Sequence, residues 1–231
     1  MCKVKKSNVE FQKLDKVIRG NIPSGFMIRE EPHYMVKEMS YSRLRCVKYI
    51  NQNKANRSLG TLGGGNHFIE IDKSTDGSIY LIVHTDSRDL GEEVAEYYTK
   101  LANDCLKKQG KEIPYYMGYL EGDNKVAYMD DVHIIQYYAE LNRQIIVREI
   151  LRGMKWKAVD QFSVGHNYID YFGDCSILHK GSISARKDER VIIPANMKDG
   201  VILGIGKGNA EWNYSAPHGS GRKIVREDVK S

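Results

Sequence analysis

Three observations predict a mixed α+β fold. Two long stretches, Glu92 to Lys108 and Lys125 to Arg152, keep apolar residues at helical spacing. Short apolar runs at Ile79 to Val83, Val191 to Ile193 and Val201 to Leu203 are too brief for helices and end at turn residues. No repeat, low-complexity tract or linker interrupts the 231 residues, which are expected to build a single domain.

Taken in order, Asn8 to Arg19 carries Val9, Phe11, Leu14, Val17 and Ile18 at mostly helical spacing, and Gly20 to Gly25 stops the pattern. Phe68 to Asp72 alternates apolar with polar and is expected to pair with Ile79 to Val83 across the turn at Asp76-Gly77. The helix from Glu92 opens on acids and closes on Lys107, Lys108 and Gly110, matching the helix dipole and a glycine stop. The next places Met129, Val132, Ile135, Tyr138, Leu141, Ile145 and Ile150 near one face and is expected to end at Gly153. The remainder reads as strands: Ala158 to Val164 leading to His166, Val191 to Ile193 leading to Pro194, and Val201 to Leu203 leading to Gly206-Lys207-Gly208-Asn209.

Composition narrows the function classes. No run of about 18 apolar residues spans a bilayer, and Met1-Cys2-Lys3-Val4-Lys5-Lys6 lacks the apolar core of a signal peptide, so a cytoplasmic protein is expected. Cys2, Cys46, Cys105 and Cys175 form no C-x-x-C pair, which points to reduced thiols rather than a disulfide framework or zinc ribbon. A net charge of +5 permits a polyanionic partner without requiring one.

The histidines carry the chemistry. His67 follows Gly63-Gly64-Gly65-Asn66, His84 opens His84-Thr85-Asp86-Ser87-Arg88, His166 lies in Val164-Gly165-His166-Asn167, and His218 precedes Gly219-Ser220-Gly221-Arg222. One histidine after an apolar strand is more often a satisfied core residue, but four in similar settings point to a site. Neutral imidazole is the commonest protein metal ligand, and His67, His84 and His166 are the natural ligand set. A glycine turn exposes N–H groups that hold phosphate, so His218 suits a phosphate-contacting group or a nucleophile at phosphorus. His33 and His133 read as structural, and Tyr128, Asp131, His133 and Arg143 as a solvated helix face.

Seven ordered segments resemble the RtcB family of RNA ligases: Gly60 to Glu70, His84 to Arg88, His166 to Tyr168, Lys180-Gly181, Ile193 to Met197, Gly206 to Asn209 and Ser215 to Arg222. The resemblance implies an α+β catalytic domain with mixed sheets, long helices and a central metal and nucleotide cleft. It implies a ligase that joins RNA 3'-phosphate or 2',3'-cyclic phosphate ends to 5'-hydroxyl ends with GTP and manganese, in RNA repair or tRNA splicing. Carried over by position, His67, His84 and His166 become manganese ligands and His218 the residue that is guanylylated. Asn66, His67, Phe68, Ile69, Glu70, His166, Asn167, Pro194, Ala195, Asn196, Met197, His218, Gly219, Ser220 and Gly221 match guanylate-binding positions. Arg88, Arg222 and Arg226 are assigned to phosphate neutralisation, and an archease-type activator is the implied partner.

Departures from the pattern are equally specific. The family's Asp-x-Gly-Cys-Gly segment, which supplies an aspartate and a bridging cysteine for a second ion, is missing, and in many relatives it runs directly into Met-Cys-x-Val-Lys, as Met1 to Lys5 begin here. The expectation is a sequence truncated at both ends, also lacking a later lysine that contacts guanine. Asp86 and Asp89 replace glycines near His84, Ala195 and Asn196 replace Gly-Ser, and Val201 takes a serine position. Two other readings follow: a non-catalytic RNA-binding remnant of the fold, or a mononuclear metal-dependent phosphoesterase using three histidines and an activated water.

Overall fold

The computed structural model describes residues 1–172 and 175–221. The chain forms helices and several antiparallel sheets, as an α+β class requires, and divides into two compact units, Cys2–Asp160 and Met1 with Gln161–Ser231.

The first unit contains the four-stranded sheet β2-β3-β1-β4, in which β1 is Cys2–Val4, β2 Phe68–Lys73, β3 Ile79–His84 and β4 Ala158–Gln161. The hairpin expected from alternation is present, with Phe68 opposite His84, Glu70 opposite Ile82 and Asp72 opposite Tyr80. Alternation sorts its two faces. Ile69, Ile71, Leu81 and Val83 join Cys2 and Val4 in a core closed by the helices α1 (Phe11–Asn21) and α4 (Gly122–Met154), whereas Phe68, Glu70 and Asp72 occupy the opposite face with His84. Helix α1 starts three residues later than its apolar pattern and runs to Asn21, where extended Ile22, the residue before Pro23, ends it.

Helix α4 passes beyond Gly153 and closes at left-handed Lys155. Gly153 has a packing role instead of a stopping one: a β-carbon there would lie 2.5 Å from Val17 Cγ1, so the glycine lets α1 approach α4. A second cluster joins α3 (Arg88–Lys108) to α4 through Leu90, Val94, Tyr98, Tyr138, Leu141 and Ile145. It also takes in Tyr41, Leu44 and Cys46 and, around the short helix α2 (Gln52–Ser58), Ala55 and Leu59.

The expected solvated face at Asp131 is corrected by this packing. Asp131 is fully buried and accepts from Arg45 N–H at 2.8 Å, Cys46 N–H at 3.1 Å and Tyr98 Oη at 2.8 Å. Three donors supply what a buried carboxylate otherwise loses with water, and they pin the 41–50 segment to α4.

In the second unit the strands pair two by two: β5 (Asn167–Phe172) with β6 (Cys175–Lys180), β7 (Ser182–Ser184) with β10 (Ser215–Pro217), and β8 (Arg190–Asn196) with β9 (Gly200–Ile205). Ile183, Ala185 and Val191 are buried, and Val164, Ile193 and Ala216 pack on them. Strand β8 runs through Pro194 rather than stopping there, because a register shift between Pro194 and Asn196 absorbs the missing N–H. The run from Ala158 is strand only to Gln161.

Candidate functional site

The glycine-rich segment before His67 is shaped from beneath by two side chains. Asn142, fully buried on α4, accepts Gly60 N–H at 2.7 Å and Thr61 N–H at 3.2 Å, and donates to Thr61 O at 3.1 Å and Asp86 O at 3.2 Å. One amide thereby ties the Gly60 loop to the segment that follows β3. Arg88 donates through Nη2 to Gly25 O at 3.0 Å and through Nε to Thr61 Oγ1 at 3.1 Å. Its guanidinium fills the space at Gly63, where a β-carbon would lie 1.9 Å from Arg88 Nη1 and 2.7 Å from His67 Nδ1. Gly63 adopts φ +84°, so glycine is needed there for conformation as well as for room.

This framework brings His67 and His84 together, with ring centroids 6.1 Å apart. Phe68 stacks on His84 at 5.2 Å and fixes that ring from its cross-strand position. Asn66 is exposed at the loop end, while Ile69 faces the core. Glu70 is half-buried beside Asp72, and burial, with a smaller contribution from the Asp72 charge, pushes its carboxyl above the usual range. Asp86 Oδ1 accepts its neighbour's Ser87 N–H at 2.9 Å, and Asp89 pairs with Lys54 at 2.9 Å.

The second unit brings together His166 and His218, ring centroids 4.9 Å apart. His166 lies before β5 and His218 follows β10, and the β7–β10 register sets Pro217 opposite Ser182. His218 Nδ1 is hydrogen-bonded to the Gly181 carbonyl oxygen. A carbonyl only accepts, so Nδ1 carries the proton, and in the neutral ring Nε2 then holds the lone pair. The Gly219-Ser220 turn is fastened to the end of β8: Ser220 N–H donates to Pro194 O at 3.2 Å and Ser220 Oγ to Ala195 O at 2.7 Å. Two sequence segments with one expected role are thus joined by direct bonds.

Asn196 organises the β8–β9 turn, accepting Lys198 N–H at 2.9 Å and Asp199 N–H at 3.0 Å, and Met197 is fully exposed. The Gly206–Asn209 motif packs on the 185–189 turn: a β-carbon on Gly206 would lie 2.3 Å from Arg186 O, and Gly208 N–H donates to Ala185 O at 3.0 Å. Gly221 has φ +73°. Arg222 and Arg226 lie outside the described residues. Among the described residues, no group of three or more His, Cys, Asp and Glu side chains gathers as a metal site. Within each unit two imidazoles lie close together.

Asn142 was not singled out from the sequence, although a signal exists. It stands four residues after Tyr138 and three before Ile145, on the apolar face of α4, where a polar residue needs buried partners.

A family model described as tRNA-splicing ligase RtcB matches residues 3–231. The chain is 31% identical to the RNA-splicing ligase RtcB of Escherichia coli K12 over 207 residues, covering 79% of this chain and 49% of that protein. It is 28% identical to the tRNA-splicing ligase RtcB of Aeropyrum pernix, over 97% of this chain and 58% of that one. A Nanoarchaeum equitans protein of the same name is 26% identical over 99% of this chain. The chain spans about half the length of the curated relatives it matches.

Proposed function

From the premise that this chain belongs to the RtcB family, we propose that it acts in joining RNA ends, a 3'-phosphate or 2',3'-cyclic phosphate to a 5'-hydroxyl, with GTP as the activating nucleotide. His218 is the nucleophile. Its Nε2 lone pair attacks the α-phosphorus of GTP, a P–N bond forms and pyrophosphate leaves. An oxygen of the RNA 3'-phosphate then takes the guanylate, breaking that bond and restoring the imidazole. Finally the 5'-hydroxyl oxygen attacks the activated 3'-phosphate, GMP departs, and the hydroxyl proton passes to solvent or a base. A cyclic end is first opened by water to the 3'-phosphate.

The observation that carries this reading is the hydrogen bond from His218 Nδ1 to Gly181 O, because it leaves the other ring nitrogen with the lone pair a nucleophile needs. Supporting it, Gly219 and Ser220 form a turn anchored to Pro194 and Ala195 beside that ring, as a guanylate pocket would require. Gly221 completes the turn.

Imidazole serves manganese when oxygen donors complete the shell, and we assign His67, His84 and His166 to that ligand set by family position. When bound, manganese supplies Lewis-acid stabilisation of phosphate oxygens. Asn66, Phe68 and Glu70 are assigned to guanylate on family position, and Asn167 likewise. Arg88, which also supports the glycine loop, is assigned with Arg222 and Arg226 to phosphate neutralisation on family position. An archease-type protein is the proposed activator, and the cytoplasm the proposed compartment.

Incubation of the chain with GTP, manganese and an RNA bearing 3'-phosphate and 5'-hydroxyl ends tests the reading. Joined product that requires GTP and disappears in His218→Ala supports it, and joining that persists in His218→Ala overturns it.

A further inference from the structure

Gly181 is the single residue between β6 and β7, and both of its flanking peptides are tethered to the segment that carries His166. Its own N–H donates to Asn167 Oδ1 at 3.2 Å. The following peptide is held at both ends: its carbonyl, that of Gly181, takes His218 Nδ1, and its N–H, that of Ser182, donates to His166 O at 3.2 Å. Registers set this up, since β5–β6 closes with Asn167 opposite Lys180 and β7–β10 closes with Ser182 opposite Pro217. Gly181 therefore arrives beside the residue after Pro217, which is His218.

The residue type is fixed on two counts. Gly181 has φ +65°, a left-handed conformation that side chains resist. A β-carbon would also lie 3.1 Å from His218 Cε1 and 3.3 Å from its Nδ1, pressing on the ring itself. Neither Gly181 nor the carboxamide of Asn167 needs to touch the reacting phosphorus to matter. The tautomer of a histidine is set by the hydrogen bond its other nitrogen makes, and here that partner is the Gly181 carbonyl, its own peptide held by Ser182 N–H on His166 O and the peptide before it held by Asn167 Oδ1.

We propose that Asn167 and Gly181 are positioning residues for His218, a side-chain-to-backbone relay that holds the proton on Nδ1 and leaves Nε2 as the lone-pair nitrogen. The catalytic consequence rests on the proposed guanylyl transfer, but the tautomer does not. Without the relay, the ring is released to carry its proton on Nε2, where no nucleophilic lone pair remains.

Long-range proton–nitrogen correlation NMR on the full chain, labelled at its histidine nitrogens in mildly alkaline buffer, reads this directly. The His218 signals are assigned by their absence in His218→Gln. The wild-type ring is expected as the Nδ1–H tautomer, and an Nε2–H ring overturns the proposal whether or not any variant folds. Asn167→Leu, which has no acceptor, is expected to shift the ring toward Nε2–H and to slow guanylylation at least about tenfold, whereas Asn167→Asp, which keeps an acceptor, retains Nδ1–H. Gly181→Ala is expected to behave as Asn167→Leu. An unchanged tautomer in both Asn167→Leu and Gly181→Ala overturns the relay. An Nδ1–H ring in a chain that takes no guanylate would sink the proposed function and leave the relay standing; guanylylation of an Nε2–H ring would do the reverse.

Discussion

The two units solve the same problem, holding a pair of imidazoles, by different physics. In Cys2–Asp160 the rings of His67 and His84 stand on a sheet backed by α1 and α4, and the loop before His67 hangs on a buried amide, Asn142. In the Gln161–Ser231 unit the described strands pair only two by two over a core of Ile183, Ala185 and Val191, so His166 and His218 are placed chiefly by backbone bonds. A two-stranded ribbon is marginal without further packing. The contrast teaches that a site's rigidity can come from apolar mass in one place and from a closed set of peptide bonds in another.

Core truncation gives the largest contrast. Leu81→Ala opens a cavity where β3 meets both helices and should cost about 4 kcal/mol, while Ile183→Ala, with fewer neighbours to strand, should cost about 2 kcal/mol. Urea denaturation of the full chain, with hydrogen exchange read at β3 and at β7, checks both, and equal costs would break the comparison. Next comes Asn142→Leu. It preserves bulk but leaves Gly60 N–H and Thr61 N–H buried without their acceptor, and about 3 kcal/mol is expected. Its exchange signature should appear in residues 60–62 and 85–86, and a loss below about 1 kcal/mol would show that water can replace the amide.

A smaller effect is expected at Ser220→Ala, which removes the Oγ bond to Ala195 O while keeping Ser220 N–H on Pro194 O. About 1 kcal/mol of local stability should be lost, read as faster exchange at the 219–221 amides. The smallest sharpens the picture of the first unit. Burial holds the His33 imidazole below its ordinary pKa, against a partly offsetting bond to Glu149, with Arg29 and Arg152 nearby. Its Nδ1 accepts Met35 N–H at 3.2 Å, so the fold prefers the neutral ring. Because the unfolded chain binds this proton more readily, stability should fall as pH drops below about 6.5. A plot of Tm against pH should be flatter over that window in His33→Gln, and an unaltered slope would remove His33 as the cause.

Much of the first unit was legible because its signals are periodic. Alternation in Phe68–Asp72 gave both the hairpin and its two faces, and helical spacing gave α3 and α4 to within four residues at each end. Failures came where local chemistry and tertiary use diverge. Gly153 reads as a stop but serves a helix crossing, Asp131 reads as solvated but is saturated by donors from the 41–50 segment, and Pro194 reads as a strand end but sits at a bulge. In the candidate site, the closeness of His67 to His84 and of His166 to His218 depends on strand registers that periodicity does not encode. Arg88 also supports the glycine loop through Gly25 O and Thr61 Oγ1, a contact visible only once Gly63 is placed above it.

The central claim is that His218 accepts guanylate. The most direct measurement incubates the purified chain with manganese and GTP labelled at the α-phosphate, then resolves native protein and His218→Ala on a denaturing gel. Label bound covalently to the native chain, sensitive to acid as a P–N bond is and missing from His218→Ala, is the expected result. Label carried equally by both proteins, or by neither, would contradict the account.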